Sequence, residues 1–216
     1  MDMAKKKVGH PHHFDGDKHL YHRFFDAAVP LGLLLAFYLF YNNGVISPKE
    51  AVKTTGLWSI SLLAITLAVG SLSKISPLFE PFKANRKVWG VTAFWAAALH
   101  MGLVFHFFWK WDLSRLWDIA NPKYNGIAAG LFAFIILGLV TYTSQEKVIK
   151  KMNPHVWKTI QTTSYLALIL AVLHFFYMEQ KDGVLVIKKL LGQITFWGSL
   201  SVITARLLVI FLPEKK

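Results

Sequence analysis

The chain has 216 residues, 54% of them hydrophobic and 15% aromatic, and a mean hydropathy of +0.40. That is too apolar for a water-soluble domain of this length, so the composition reads as that of a membrane protein. Net charge is +12, but the basic residues cluster between apolar runs, which points to membrane topology and lipid headgroups and away from nucleic acid. Cysteine is absent; this excludes disulfides, thiolate-held iron–sulfur clusters, thiolate-ligated haem and covalent haem attachment.

Residues 1–23 form a His- and Lys-rich segment with no small-residue cleavage site after it, so the first apolar run is expected to be retained. That run is Phe24–Tyr41, with Asp26 and Pro30 in its opening turns. Thr54–Ser73, Val88–Trp109, Tyr124–Ser144 and Thr159–Met178 follow. The last is Leu185–Leu212, whose apolar core is expected to start near Leu190 because Lys188 and Lys189 precede it. Each run is near the ~20 residues a spanning helix needs. Their continuity argues against a β-barrel, in which apolar residues alternate. The pattern predicts an all-α polytopic membrane protein: a six-transmembrane-helix bundle over 24–212 between tails 1–23 and 213–216. No internal repeat and no separate soluble domain is evident.

If six helices cross, fifteen Lys and Arg fall on the side of the termini and eight on the other. This bias predicts a bacterial inner-membrane protein with both termini cytoplasmic. Two histidines then lie within otherwise uncharged apolar runs, His100 in the third and His174 in the fifth. An imidazole in a bilayer core is costly without a partner. At about 1.5 Å per residue His100 lies ~20 Å from Lys87, and His174 ~24 Å from Lys158, so both reach similar depth in the outer half. Two readings stay open for the pair: clamping a metal, for which haem iron suits two neutral imidazoles, or hydrogen bonding to neighbouring helices.

The other polar residues read differently. His106, about 600° around the helix from His100, is expected at the outer interface among aromatics. His10, His12, His13, His19 and His22 fit no defined metal spacing; of these His22, beside Arg23 at the membrane boundary, is the candidate for a role. Most of the eight Trp fall near helix ends, as interfacial anchors do. Arg206 in the last helix either neutralises a haem propionate, as a cofactor-binding residue, or snorkels outward. No Asp or Glu sits centrally in a span, which argues against an ion-coupled transporter.

NRKVWGVTAFWAAALH resembles the third-helix signature of the ferric-reductase-like transmembrane family. WDIANPKYNGIAAGLFAFIILGLVTYTS, WKTIQTTSYLALILAVLH and TGLWSISLLAITLAVGSLSKISPL resemble its fourth, fifth and second helices. The likeness covers roughly residues 52–178. Within the family it is nearest to the haem-binding subunits of protein-methionine-sulfoxide reductase systems. The resemblance implies haem b between the third and fifth helices, ligated by His100 and His174, and electron flow across the membrane to a periplasmic reductase subunit from quinol or a flavin-linked donor. Two departures stand out: Gln161 and Arg86 occupy positions where members carry further histidines. One haem, not two, is therefore expected, with quinone or FMN as the possible additional cofactor. The function expected is a cytochrome relaying electrons from the quinone pool. A stand-alone metal or quinone reductase and a non-redox membrane scaffold are the alternatives.

Overall fold

The computed structural model describes residues 16–211; His10, His12 and His13 and the tail 213–216 lie outside them. The chain is mostly helical. Helix α1, Gly16–Ala36, continues as a π-helical turn over Phe37–Tyr41. Helix α2 is Pro48–Leu72, and α3, Arg86–Val104, again runs into a π-helical turn, Phe105–Trp109. Helix α4 spans Tyr124–Thr143, followed by the short α5, Glu146–Ile149. The fifth apolar run becomes two helices, α6 (Pro154–Thr162) and α7 (Ser164–Glu179), and the last becomes α8, Leu190–Phe211. Among the described residues, five stretches are long and apolar enough to cross a membrane: Tyr21–Tyr41, Pro48–Leu72, Arg86–Trp109, Tyr124–Thr143 and Pro154–Glu179. Helix α8 is not among them. The molecule is a polytopic membrane protein.

Local chemistry explains where the helices begin and break. Helix α2 starts six residues before its apolar run, because Ser47 accepts from the Glu50 N–H and Pro48 fills the first helical position. The break between α6 and α7 falls where three hydroxyls in a row turn back on their own chain: Thr162 donates to Lys158 O, Thr163 to Ile160 O and Ser164 to Gln161 O. Such back-bonding competes with the helical ladder. Between α7 and α8 a two-residue hairpin pairs β1 (Gln180–Lys181) with β2 (Val184–Leu185). Asp182 and Gly183 both take positive φ at its turn, the usual demand of a tight hairpin and the reason Asp-Gly suits it.

Helix α2 is the axis of the bundle. It packs along α3 on one side and α8 on another, and also touches α1 and α7. Leu57, Ile60, Leu62, Leu63 and Leu67 are buried in the core it shares with Ala93, Leu137, Ala167, Leu168 and Val172. The second extensive contact is between α4 and α7. Helix α1 is fixed to α3 by polar contacts: buried Asn85 donates to His22 O (2.7 Å) and Asp26 Oδ1 (2.9 Å), and Trp89 Nε1 donates to Phe25 O (3.0 Å). Removing the Asn85 amide by Asn85→Ala leaves these acceptors without a donor. The substitution is expected to lower stability by about 1–3 kcal/mol, read as a reduced unfolding midpoint of the purified protein in detergent.

Candidate functional site

His100, near the end of α3, and His174, near the end of α7, come together. Their ring centroids are 6.0 Å apart with the planes at 84°. Each ring is held by the first turns of the neighbouring helix. His100 Nδ1 lies 2.8 Å from Val52 O, and His174 Nδ1 lies 2.8 Å from Gly126 O. A carbonyl only accepts, so Nδ1 carries the proton in both rings and Nε2 is left as a bare lone pair. Among the described residues neither Nε2 has a hydrogen-bond partner.

The close approach of ring to helix requires glycine. A methyl at Gly56 would meet His100 Nδ1 at 3.0 Å, and one at Gly130 would meet His174 Nδ1 at 2.6 Å. These four neighbours repeat. Val52 and Gly126, Gly56 and Gly130, and His100 and His174 are each 74 positions apart. The repeat reaches the other end of the bundle. Arg86 Nε donates to Thr66 O at 2.9 Å, and Gln161 Nε2 to Val140 O at 3.1 Å; Thr66 and Val140 are again 74 positions apart. So α2–α3 and α4–α6–α7 carry corresponding residues at a 74-residue offset around the histidines, with Arg86 and Gln161 out of step by one. This corrects the expectation of no internal repeat. Only a few side chains carry the repeat, and the apolar residues between them diverge, so overall self-similarity does not show it.

Two imidazoles are too few to hold a bare metal ion, and no group of three or more His, Asp or Glu gathers among the described residues. They suffice as the axial pair of a macrocycle that supplies the other nitrogens. The spacing fits: metal–imidazole bonds of ~2 Å on each side, and about 1 Å more to each ring centre, give ~6 Å between centroids. The orphan Nε2 atoms and the glycine-relieved rings thus form a donor set suited to one six-coordinate iron. The backbone acceptors fix ring orientation and raise ligand basicity, as partners of metal-bound histidine do.

The other candidates lie apart from the pair. His106 is exposed in the π-helical turn after α3, against Phe107 and Trp111. His22 has a buried Nδ1 without a partner among the described residues, and contributes its carbonyl to the α1–α3 contact. Arg206 lies over the Tyr165 ring, 5.0 Å from its centroid, nine residues before His174 on the same helix. It is grouped with Arg86, whose charge it neighbours. Arg86 and Gln161 both line a cavity of about 240 Å³ at the far end of the hairpins. Sequence reading missed Val52, Gly56, Gly126 and Gly130; the signal available was a glycine 44 residues before each intramembrane histidine.

The two glycines make an ordered prediction. Gly130→Ala forces the tighter contact and is expected to cost about 1–3 kcal/mol of stability, within the range for overpacking, and Gly56→Ala less. Unfolding midpoints of the two variants in the same detergent check the order.

Comparison with known proteins accords with this architecture. The family described as ferric reductase like transmembrane component matches residues 55–172, a span that includes His100 and ends just before His174. The chain is 27% identical over 157 residues to the protein-methionine-sulfoxide reductase heme-binding subunit MsrQ of Herminiimonas arsenicoxydans, covering 72% of this chain and 71% of that one. It is 32% identical over 137 residues to the MsrQ of Polaromonas naphthalenivorans, covering 62% and 60%. It is also 29% identical over 160 residues to the magnetosome protein MamZ of Magnetospirillum gryphiswaldense, covering 70% of this chain and 24% of that one. The matched segment holds all of α3 and α4 and parts of α2 and α7; it includes His100, Gly56, Gly126 and Gly130, while Val52 and His174 lie just outside it. The chain belongs to the ferric-reductase-like transmembrane family.

Proposed function

We propose that this protein is a membrane b-type cytochrome that relays single electrons from quinol to a periplasmic acceptor, in the manner of the heme-binding subunits it is similar to. The observation that carries the reading is the paired imidazole arrangement, with both Nδ1 atoms tied to backbone carbonyls and both Nε2 atoms free. His100 and His174 are the residues that would hold the haem. Haem b, when bound, supplies a one-electron iron couple.

The protein's own part is positioning and environment. Val52 O and Gly126 O hold the rings so that ligation needs no rotation. Gly56 and Gly130 give the rings room. Leu57 and Val172, both buried in the shared core, belong to the water-poor interior that governs potential. Near the same end Lys53 pairs with Glu179, and Lys123 donates to Tyr177 O and Gln180 O at the end of α7. These contacts tie α2 and α4 to the helix that presents His174.

Membrane placement follows the loop charges. Six crossings, with α8 the sixth, put residues 1–23 and 213–216 in the cytoplasm and the histidines in the outer half. An acceptor on the periplasmic side is then near the site, and a reductase subunit there is the partner that the similar heme-binding subunits suggest. Quinol in the surrounding bilayer is the donor, with FMN at the inner end the alternative. Gln161 and Arg86 provide no imidazole at that inner end, so haem content is one per chain.

Four measurements test this reading. A pyridine haemochrome assay is expected to give one haem b per chain; two would show that another ligand pair exists. His100→Ala and His174→Ala are each expected to abolish the low-spin spectrum, while His106→Ala keeps it. A reporter fused to the C-terminus is expected to be active only in the cytoplasm, and membranes given quinol to reduce the haem without NADH. An exported C-terminus, or reduction only by a nicotinamide donor, would contradict the direction of flow.

A further inference from the structure

The cavity at the far end of the hairpins holds a charge that the protein does not balance. Arg86 lines it, with its guanidinium packed against Gly70, where a methyl would meet it at 2.7 Å. Its Nε donates to Thr66 O. Among the described residues no carboxylate pairs with it: the ion pairs are Lys53–Glu179, Lys83–Glu80 and Arg115–Asp112. Asp26 is engaged by the Asn85 amide. A second arginine, Arg206, stands behind Tyr165 and adds its charge to Arg86. Tyr165 itself bonds Ser71 Oγ and Leu67 O. Two half-buried guanidinium groups within a membrane bundle, without an acid, carry a desolvation cost that a bound anion offsets.

The rest of the cavity indicates what kind of anion. Leu63, Leu67, Val91 and Leu137 make its walls apolar, while Lys87 at its rim is exposed. An apolar slot with a cationic end between spanning helices suits an amphiphile with an anionic head. It does not suit a small hydrated ion. Gln161 Nε2 is already directed at Val140 O, Thr143 Oγ1 and Ser144 Oγ, which leaves Gln161 Oε1 as an acceptor for headgroup hydroxyls. Arginine is the side chain best matched to phosphate, because its planar fork donates to two oxygens at once. Basic pockets between spanning helices bind anionic lipid heads by the same chemistry.

We propose that the cavity bounded by α2, α3, α4 and α6 binds the phosphate of an anionic phospholipid. Arg86 is the direct contact, Arg206 the supporting charge, and the apolar walls the seat of the adjoining chain. The site does not depend on ligation at His100 and His174, which lie at the other end of the same helices. Arginine and glutamine at the positions of the second histidine pair thus convert that end from imidazole ligation to anion binding.

The test is native mass spectrometry of the full chain, released from detergent with equal phosphatidylglycerol and phosphatidylcholine. Phosphatidylglycerol is expected to be retained about tenfold more, the ratio given by one well-made charged contact. Arg86→Gln is expected to erase the preference and Arg206→Gln to reduce it. Gly70→Ala keeps the charge but displaces the guanidinium, so it too is expected to weaken retention; this carries the test if Arg86→Gln fails to fold. Equal retention of the two lipids by the wild-type chain, or an undiminished preference in both Arg86→Gln and Gly70→Ala, would overturn the proposal. Displacement of phosphatidylglycerol by millimolar inorganic phosphate would reassign the site to a soluble phosphate.

Discussion

The structure depends on one hydrogen bond made twice: an imidazole Nδ1–H near the end of one helix donating to a backbone carbonyl in the first turns of its neighbour. Those carbonyls are available because a helix leaves some first-turn oxygens reachable from the side when the facing residue is glycine. Gly56 and Gly130 provide that access. The bond solves two problems together. It satisfies a polar ring in an apolar setting, where an unmade bond is expensive. It also fixes which nitrogen is protonated, and so turns a buried histidine into a directed lone pair. Packing of α2 on α3 and of α4 on α7 is what brings the two rings to within 6.0 Å of each other.

Much of this was legible in the sequence. Each of the six apolar runs is helical, with ends displaced by a few residues; among the described residues five of them are long and apolar enough to cross a membrane, and the fifth run is broken into α6 and α7. Matching depth for His100 and His174 followed from counting residues back to the basic loops, and the rings do meet. The start of α2 at Pro48 and the break at Thr163 were missed for one reason. Both are set by hydroxyls that bond the backbone, Ser47 capping one helix and Thr163 with Ser164 interrupting another. Hydropathy is blind to such bonds. The internal repeat was missed because it resides in a few polar and glycine positions, while interchangeable Leu, Ile, Val and Ala fill the remainder. Gly56 and Gly130 carry no chemistry of their own and are seen only through what a Cβ would strike.

Arg206 in the last apolar run reads in two ways, as a partner for a haem propionate or as a side chain that snorkels outward. In the structure it lies over the Tyr165 ring, beside Arg86 and away from the paired histidines. The two ends of the bundle therefore differ in kind. One is neutral, ring-lined and closed by lone pairs; the other is cationic and open between helices. The 74-residue offset that relates the histidine supports slips by one at the other end, where Arg86 and Gln161 are 75 positions apart and the break between α6 and α7 has no counterpart in α3.

The central proposal, that His100 and His174 would hold one haem, carries a geometric signature. Their planes are near perpendicular, at 84°. Low-spin ferric haem with perpendicular imidazoles has nearly degenerate dπ orbitals and gives a highly anisotropic electron paramagnetic resonance signal; parallel imidazoles give an ordinary rhombic one. The spectrum of the oxidised, purified protein at liquid-helium temperature tests the account most directly. It predicts the highly anisotropic low-spin signal as the dominant species. A rhombic low-spin signal, or a high-spin signal in the wild-type protein, would contradict the pairing.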